Sequence, residues 1–185
     1  GSIAPGRRAD VIFTSDLTTL PINRVMARGK TVALNGKVLT DCPHVAWPEA
    51  ARRTVRIGAD KIATEFIVAG HDGVDAVVVR VIGVIENLAP NKALEDTLPV
   101  RDGDVIAQGD TCHVSVVERE RARGSVSNAF VSGFGYEGNM AIASTVAHDS
   151  HHMIVVGTCH KNMALAANRL AEVGGGVTVW NDGVE

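Results

Sequence analysis

The sequence predicts an α+β, mixed α/β chain, with a short β segment followed by a mixed-sheet domain with packed helices. Three observations carry this. Short β-branched runs alternate with Gly/Asp/Asn turns through the first two thirds. Residues 141–147 and 153–156 are continuous apolar runs, the pattern of strands buried on both faces. Met163, Ala166, Ala167, Leu170 and Val173 then follow the i, i+3, i+4, i+7 spacing of one helical face.

In chain order, residues 9–13 form a small apolar strand, and 24–39 read as three strands joined at Gly29-Lys30 and Asn35-Gly36. Asn-Gly between apolar stretches is a strong hairpin signal, because both central residues of a type I′ turn take positive φ. Residues 41–53 carry Pro43, Pro48 and the basic pair Arg52-Arg53, and read as a linker. The second domain runs from 54 to 185. In it, 65–68, 75–85 and 111–118 read as strands, mostly antiparallel by their loop lengths. The helix ends at Gly174-Gly175-Gly176, which supply the positive φ of a helix C-terminus, and 177–180 is a closing strand.

Composition excludes some function classes. Hydrophobic residues make up 45% and charged residues 21% of 185, which fits a globular chain and neither a disordered nor a fibrous one. Lys plus Arg (18) against Asp plus Glu (21) leaves a net charge of −3. That removes the broad attraction to a phosphate backbone, so no nucleic-acid partner is expected. No apolar run reaches the roughly 20 residues of a membrane span, so a soluble chain with no membrane partner is expected. Cys42, Cys112 and Cys159 are odd in number and widely spaced, which disfavours a disulfide framework and points to the cytoplasm. The chain opens at Gly1, already inside a strand-and-turn pattern, and reads as a piece of something longer.

The most chemical stretch is 147–152, Ala-His-Asp-Ser-His-His. Three imidazoles, a carboxylate and a hydroxyl fall between two buried strands, a usual place for ligand contacts. Metal ligation by His148 with His151 or His152, substrate contact with proton handling, and a hydrogen-bonded structural loop are all open readings. The spacing is not the i, i+4 pair of a helical zinc site. Gly157-Thr158 before the helix could face an anion, with Thr158 as N-cap, though such caps are common. Residues 124–135 are glycine-bracketed but contain neither phosphate-loop pattern. The charge run Glu118-Arg119-Glu120-Arg121 reads as a solvated strand end, although Glu118 and Arg119 could face a pocket. Cys112-His113 and Cys159-His160 suggest zinc less than they suggest ordinary thiols.

Residues 1–12, Gly-Ser-Ile-Ala-Pro-Gly-Arg-Arg-Ala-Asp-Val-Ile, resemble the segment that closes the small β-sandwich of amidohydrolases after the catalytic barrel. Blocks at 130–135, 141–151, 154–158 and 163–170 together resemble the C-terminal domain of bacterial adenine deaminases. The resemblance implies that 1–40 belongs to a small β-sandwich remnant, and that the whole enzyme converts adenine and water to hypoxanthine and ammonia. It implies a divalent metal, manganese or iron, held by an N-terminal barrel with an H-x-H strand. This chain contains no H-x-H, so no metal ligand and no catalytic residue is assigned within it. The expected partners are adenine or a related purine, the barrel, and further copies in a homo-oligomer. His148, Asp149, Ser150 and His151 are the expected substrate-proximal wall, with Glu118 beside them. Glu120, His152, Cys159 and His160 depart from the family pattern and leave another purine or aminated heterocycle open as substrate. A stand-alone binding or assembly module without catalysis is the alternative.

Overall fold

A computed structural model describes residues 2–41, 43–71 and 73–185, and the chain divides into two compact units, Gly1–Ala46 and Trp47–Glu185. The boundary falls inside the stretch read as a linker. Cys42 lies outside the described residues.

The first unit is a four-stranded antiparallel meander of β1 (Val11–Thr14), β2 (Ile22–Ala27), β3 (Lys30–Leu34) and β4 (Lys37–Val38), in that spatial order. Of its two tight turns, Asn35-Gly36 lies where expected, while the first is centred on Arg28-Gly29, one residue before the expected Gly29-Lys30, and Lys30 opens β3. Arg28 and Gly29 have φ of 50° and 78°, and Asn35 and Gly36 have 46° and 78°, the pair of left-handed residues that a type I′ hairpin needs. The Asp10 carboxylate accepts the Arg28 amide at 2.6 Å and pins the first turn to the β1 entry.

The second unit is one eight-stranded sheet made of β5 (Ala76–Gly83), β6 (Lys92–Arg101), β7 (Asp104–Val105), β8 (Cys112–Val117), β9 (Val126–Ser132), β10 (Met140–Ser144), β11 (Met153–Gly157) and β12 (Val177–Asn181). The spatial order is β12-β10-β11-β8-β9-β5-β6-β7. Pairing is antiparallel except between β5 and β9, so the sheet is mixed, as expected.

Among the described residues one α-helix, α1 (His160–Val173), covers part of one face, where packed helices in the plural were expected. Met163, Ala166, Ala167 and Leu170 are buried against Ala141, Ala143, Met153 and Val155. The small alanines let the helix approach the sheet closely, and Gly174 at φ 87° closes it by donating its amide to the Leu170 carbonyl. β10 stops at Ser144 rather than running to 147, and its Ile142 is only half-buried. The continuous apolar run therefore does not signal two equally covered faces.

Residues 65–68, expected as a strand, do not form one: 65 and 66 end a 3-10 turn, Ala63–Phe66, and 67 and 68 follow it without regular structure. Glu65 explains the difference. Its carboxylate accepts the Ile62 amide at 2.9 Å and the Lys61 ammonium at 3.0 Å, so local capping outcompetes an extended conformation while Phe66 is wholly buried.

Candidate functional site

The polar loop 147–152 joins β10 to β11. Its turn is closed by the His151 amide donating to the Ala147 carbonyl at 2.8 Å, with His151 itself at φ 56°. The Ser150 hydroxyl accepts the His152 amide at 3.3 Å. His148 Nδ1 lies 3.1 Å from Asp149 Oδ1, and these side chains are 90% and 95% exposed. An exposed imidazole–carboxylate pair can orient a ring nitrogen toward a ligand or pass a proton.

Glu118 leaves β8 at the same end of the sheet, because Val117 pairs with Met153. Its carboxylate is fully engaged. It accepts the amides of Arg121 (2.6 Å), Glu120 (2.7 Å), Arg123 (2.9 Å) and Gly124 (3.3 Å). These donors, Arg121 first, hold its carboxyl down to about 2. Glu118 therefore shapes the 118–124 turn. The next residue links that turn to the loop, since Arg119 Nε donates to the His151 carbonyl at 2.8 Å.

Thr158 does not cap α1. Its hydroxyl donates to the Gly138 carbonyl at 2.6 Å and accepts the Met140 amide at 3.0 Å, and the N-cap position falls to Cys159, whose side chain makes no capping bond. The glycine-bracketed stretch 124–135 holds β9.

The fold assembles a second polar cluster that sequence reading missed. β8 alternates, so Cys112 packs with Val131 and Val156 on one face while His113 turns to the other. There the His113 ring meets His160, the first residue of α1, at 4.3 Å between centroids, and Phe130 at 5.1 Å. His160 Nδ1 lies 3.3 Å from Asp104 Oδ2 on β7. Burial, with the neighbouring His160 second, pushes the His113 imidazole down to about 4. Burial likewise pushes His160 down and Asp104 up, against their mutual attraction. His113 Nδ1, His160 Nε2 and Asp104 Oδ1 are buried without a hydrogen-bond partner among the described residues. The signal was the dyad Cys-His occurring twice, at 112–113 and 159–160; the histidines meet and Cys112 faces away.

Among the described residues no group of three or more His, Cys, Asp or Glu is placed to hold a metal ion. Among the same residues, no helix is long and apolar enough to cross a membrane.

The adenine deaminase C-terminal domain family matches residues 89–185, and the chain belongs to that family. Across its whole length it is 64% identical to the adenine deaminase of Ruegeria sp. (strain TM1040) and 60% identical to that of Paracoccus denitrificans (strain Pd 1222). It is 43% identical, over 99% of the chain, to the adenine deaminase of Moorella thermoacetica (strain ATCC 39073 / JCM 9320). In each case the chain spans 31% of the relative's own length.

Proposed function

We propose that this chain is the C-terminal portion of an adenine deaminase, which converts adenine and water to hypoxanthine and ammonia. The observation that carries this is the 64% identity to a protein of that name over every residue of the chain. In this reading the remaining sequence forms the barrel and holds the divalent metal, manganese or iron. The chain alone then has no activity, and the whole protein works in the cytoplasm as a homo-oligomer.

The chain's own part is to cover the purine. Loop 147–152 supplies the wall, with His148 and Asp149 as the hydrogen-bonding pair and Ser150 and His151 fixing the turn that presents them. Glu118 acts at one remove: it shapes the turn from which Arg119 holds the His151 carbonyl. Covering the site excludes water, and polar groups paired to the correct base reject analogues that would leave them unpaired. The His148–Asp149 pair is exposed, so it is accessible to a ligand seated against the loop.

The test is Asp149→Asn in the full-length protein. A fall in kcat/KM for adenine of about 100-fold or more is expected, the usual scale for a lost acid–base or charge-assisted contact. Unchanged kcat/KM would remove the loop from the site.

A further inference from the structure

The two arginine-rich stretches of the sequence, 52–56 and 119–123, are far apart in the chain yet meet in the second unit. Backbone pairing brings them together: the Arg56 amide donates to the Arg119 carbonyl at 2.8 Å. Side chains then lock the approach. Arg56 Nη2 donates to the Glu120 carbonyl at 2.7 Å, and Arg119 Nη1 reaches Thr54 Oγ1 at 3.4 Å. Between them lies a cleft of about 660 Å³ whose charged lining is Arg52, Arg53, Arg56, Arg119, Glu49 and Glu120.

The charge of this cleft is unusual for its setting. Four guanidinium groups less two carboxylates leave +2, in a chain whose net charge is −3. None of the four arginines forms an ion pair among the described residues. Glu118, next along the chain, forms no ion pair with them and does not line the cleft; its oxygens face four backbone amides of its own turn. Each guanidinium carries five N–H donors. Arg56 spends one and Arg119 two on the protein, so both are held in place with most of their donors uncommitted.

We propose that this cleft binds the phosphate group of a small molecule. A planar guanidinium fork matches phosphate oxygens with two parallel hydrogen bonds, and convergent, partly immobilised arginines lose less conformational freedom on binding than lysines would. A phosphomonoester dianion also balances the +2 of the lining. The volume suits a ligand of metabolite size. Arg53, at φ 48°, holds a backbone conformation uncommon for a residue with a side chain, and it does so between the other basic members of the cleft wall. Inorganic phosphate and a nucleoside monophosphate share this chemistry and are separated by the experiment. The site does not depend on the purine-wall reading, because it is measured by binding and not by deamination.

The 185-residue chain is titrated calorimetrically at low ionic strength with inorganic phosphate, AMP and adenosine. Saturable binding of phosphate is expected, with a dissociation constant of about 1 mM or tighter, weakening as salt is added. Adenosine should not compete. Tighter binding of AMP than of phosphate assigns the site to nucleotides, and phosphate binding with AMP excluded assigns it to the free ion; both support a phosphate site. The double variant Arg52→Gln/Arg53→Gln changes two exposed side chains that make no hydrogen bond among the described residues, and should weaken binding about tenfold or more with Tm unchanged. Arg7→Gln/Arg8→Gln, in the first unit, should bind as the parent does. The proposal is overturned by absence of saturable phosphate binding, by equal binding in the Arg52/Arg53 variant, or by adenosine binding as tightly as AMP. Binding that is present in the chain but lost in the full-length protein also overturns it, because an acidic segment of the remaining sequence would then fill the cleft.

Discussion

His160 Nδ1 lies 3.3 Å from Asp104 Oδ2, and the same imidazole meets the His113 ring edge-on at 4.3 Å, so the first turn of α1 is tied to β7 and β8 through three titratable side chains. Sequence places these residues nine and 47 positions apart. They are joined by burial and not by a matched set of hydrogen bonds, since each retains a buried polar atom without a partner among the described residues.

That arrangement predicts an acid-sensitive fold. His113 is 3% exposed, with His160 facing it from α1 and Phe130 from β9, and with Asp104 on β7 behind His160. Its imidazole is pushed from 6.5 to about 4. The fold accommodates the neutral form, so the stability tied to this group is complete above pH 6.5 and is lost as pH falls from 6.5 toward 4. The full loss corresponds to roughly 3 kcal/mol. Urea midpoints measured from pH 7 to pH 4 should fall steeply in the parent and much less in His113→Leu. Parallel slopes would show that another group titrates.

A second prediction concerns the turn after β8. Glu118→Gln removes the charge from an acceptor shared by four amides and sets an amide NH₂ group against some of those donors. Tm should drop at neutral pH. The carboxyl sits below its ordinary value of 4.5, at about 2, so its contribution is present above pH 4.5 and disappears as pH falls through 2. Thermal melts of the two proteins should therefore converge at the acid end; a constant Tm difference down to pH 2 would contradict the role assigned to the carboxylate.

Asn168 on α1 supplies a third. Its side chain accepts the Lys61 amide at 2.7 Å and donates to the Lys61 carbonyl at 2.9 Å, imitating one rung of a strand ladder. Lys61 in turn sends its buried ammonium to the Gly124 carbonyl at 2.8 Å. Asn168→Leu leaves both backbone groups of Lys61 without these partners and should cost about 2 kcal/mol or more in urea unfolding. Hydrogen exchange should speed first at the Lys61 amide. Unchanged exchange there would mean that the clamp contributes nothing.

What could be read from sequence follows local physics. The Asn35-Gly36 hairpin, the α1 stripe of Met163, Ala166, Ala167 and Leu170, and the Gly174 stop each depend on neighbours within a few residues, and each is found, while Val173, expected on the same helix face, is exposed in the last turn. β6 was missed because Lys92, Glu95, Asp96 and Pro99 interrupt its alternation, and β9 because Ser127 and Asn128 between glycines look like a loop. Both strands are set by backbone pairing and not by their own pattern: β6 pairs with β5 and β9 with β8 across short connections, and β9 also pairs in parallel with the distant β5. The same limit applies to sites. The 147–152 loop stands out because its polar residues are contiguous. The His113–His160 contact and the arginine cleft exist only once β8 lies against β11 and against the 54–57 segment.

The close approach of Gly124 to the 57–61 segment gives the last prediction. Gly124 is buried at φ 59°, and a Cβ there would drive into the Ile57 carbonyl oxygen and come within 2.9 Å of Lys61 Nζ. Neither can retreat easily. The Ile57 carbonyl is backbone, and the ammonium is held between Glu65 and the Gly124 carbonyl itself. Gly124→Ala therefore combines left-handed backbone strain with a steric clash, and should cost about 3 kcal/mol or more. Gly103 separates the two effects, because it has φ 79° but open space around its Cβ position. Gly103→Ala should lose only about 1 kcal/mol, the backbone term alone. Urea unfolding of both variants measures the difference, with soluble yield as the fallback if Gly124→Ala does not fold. Equal losses at the two positions would mean that the 118–124 turn can move away from the 57–61 segment, and the rigid frame assigned to Glu118 and Arg119 would have to be abandoned.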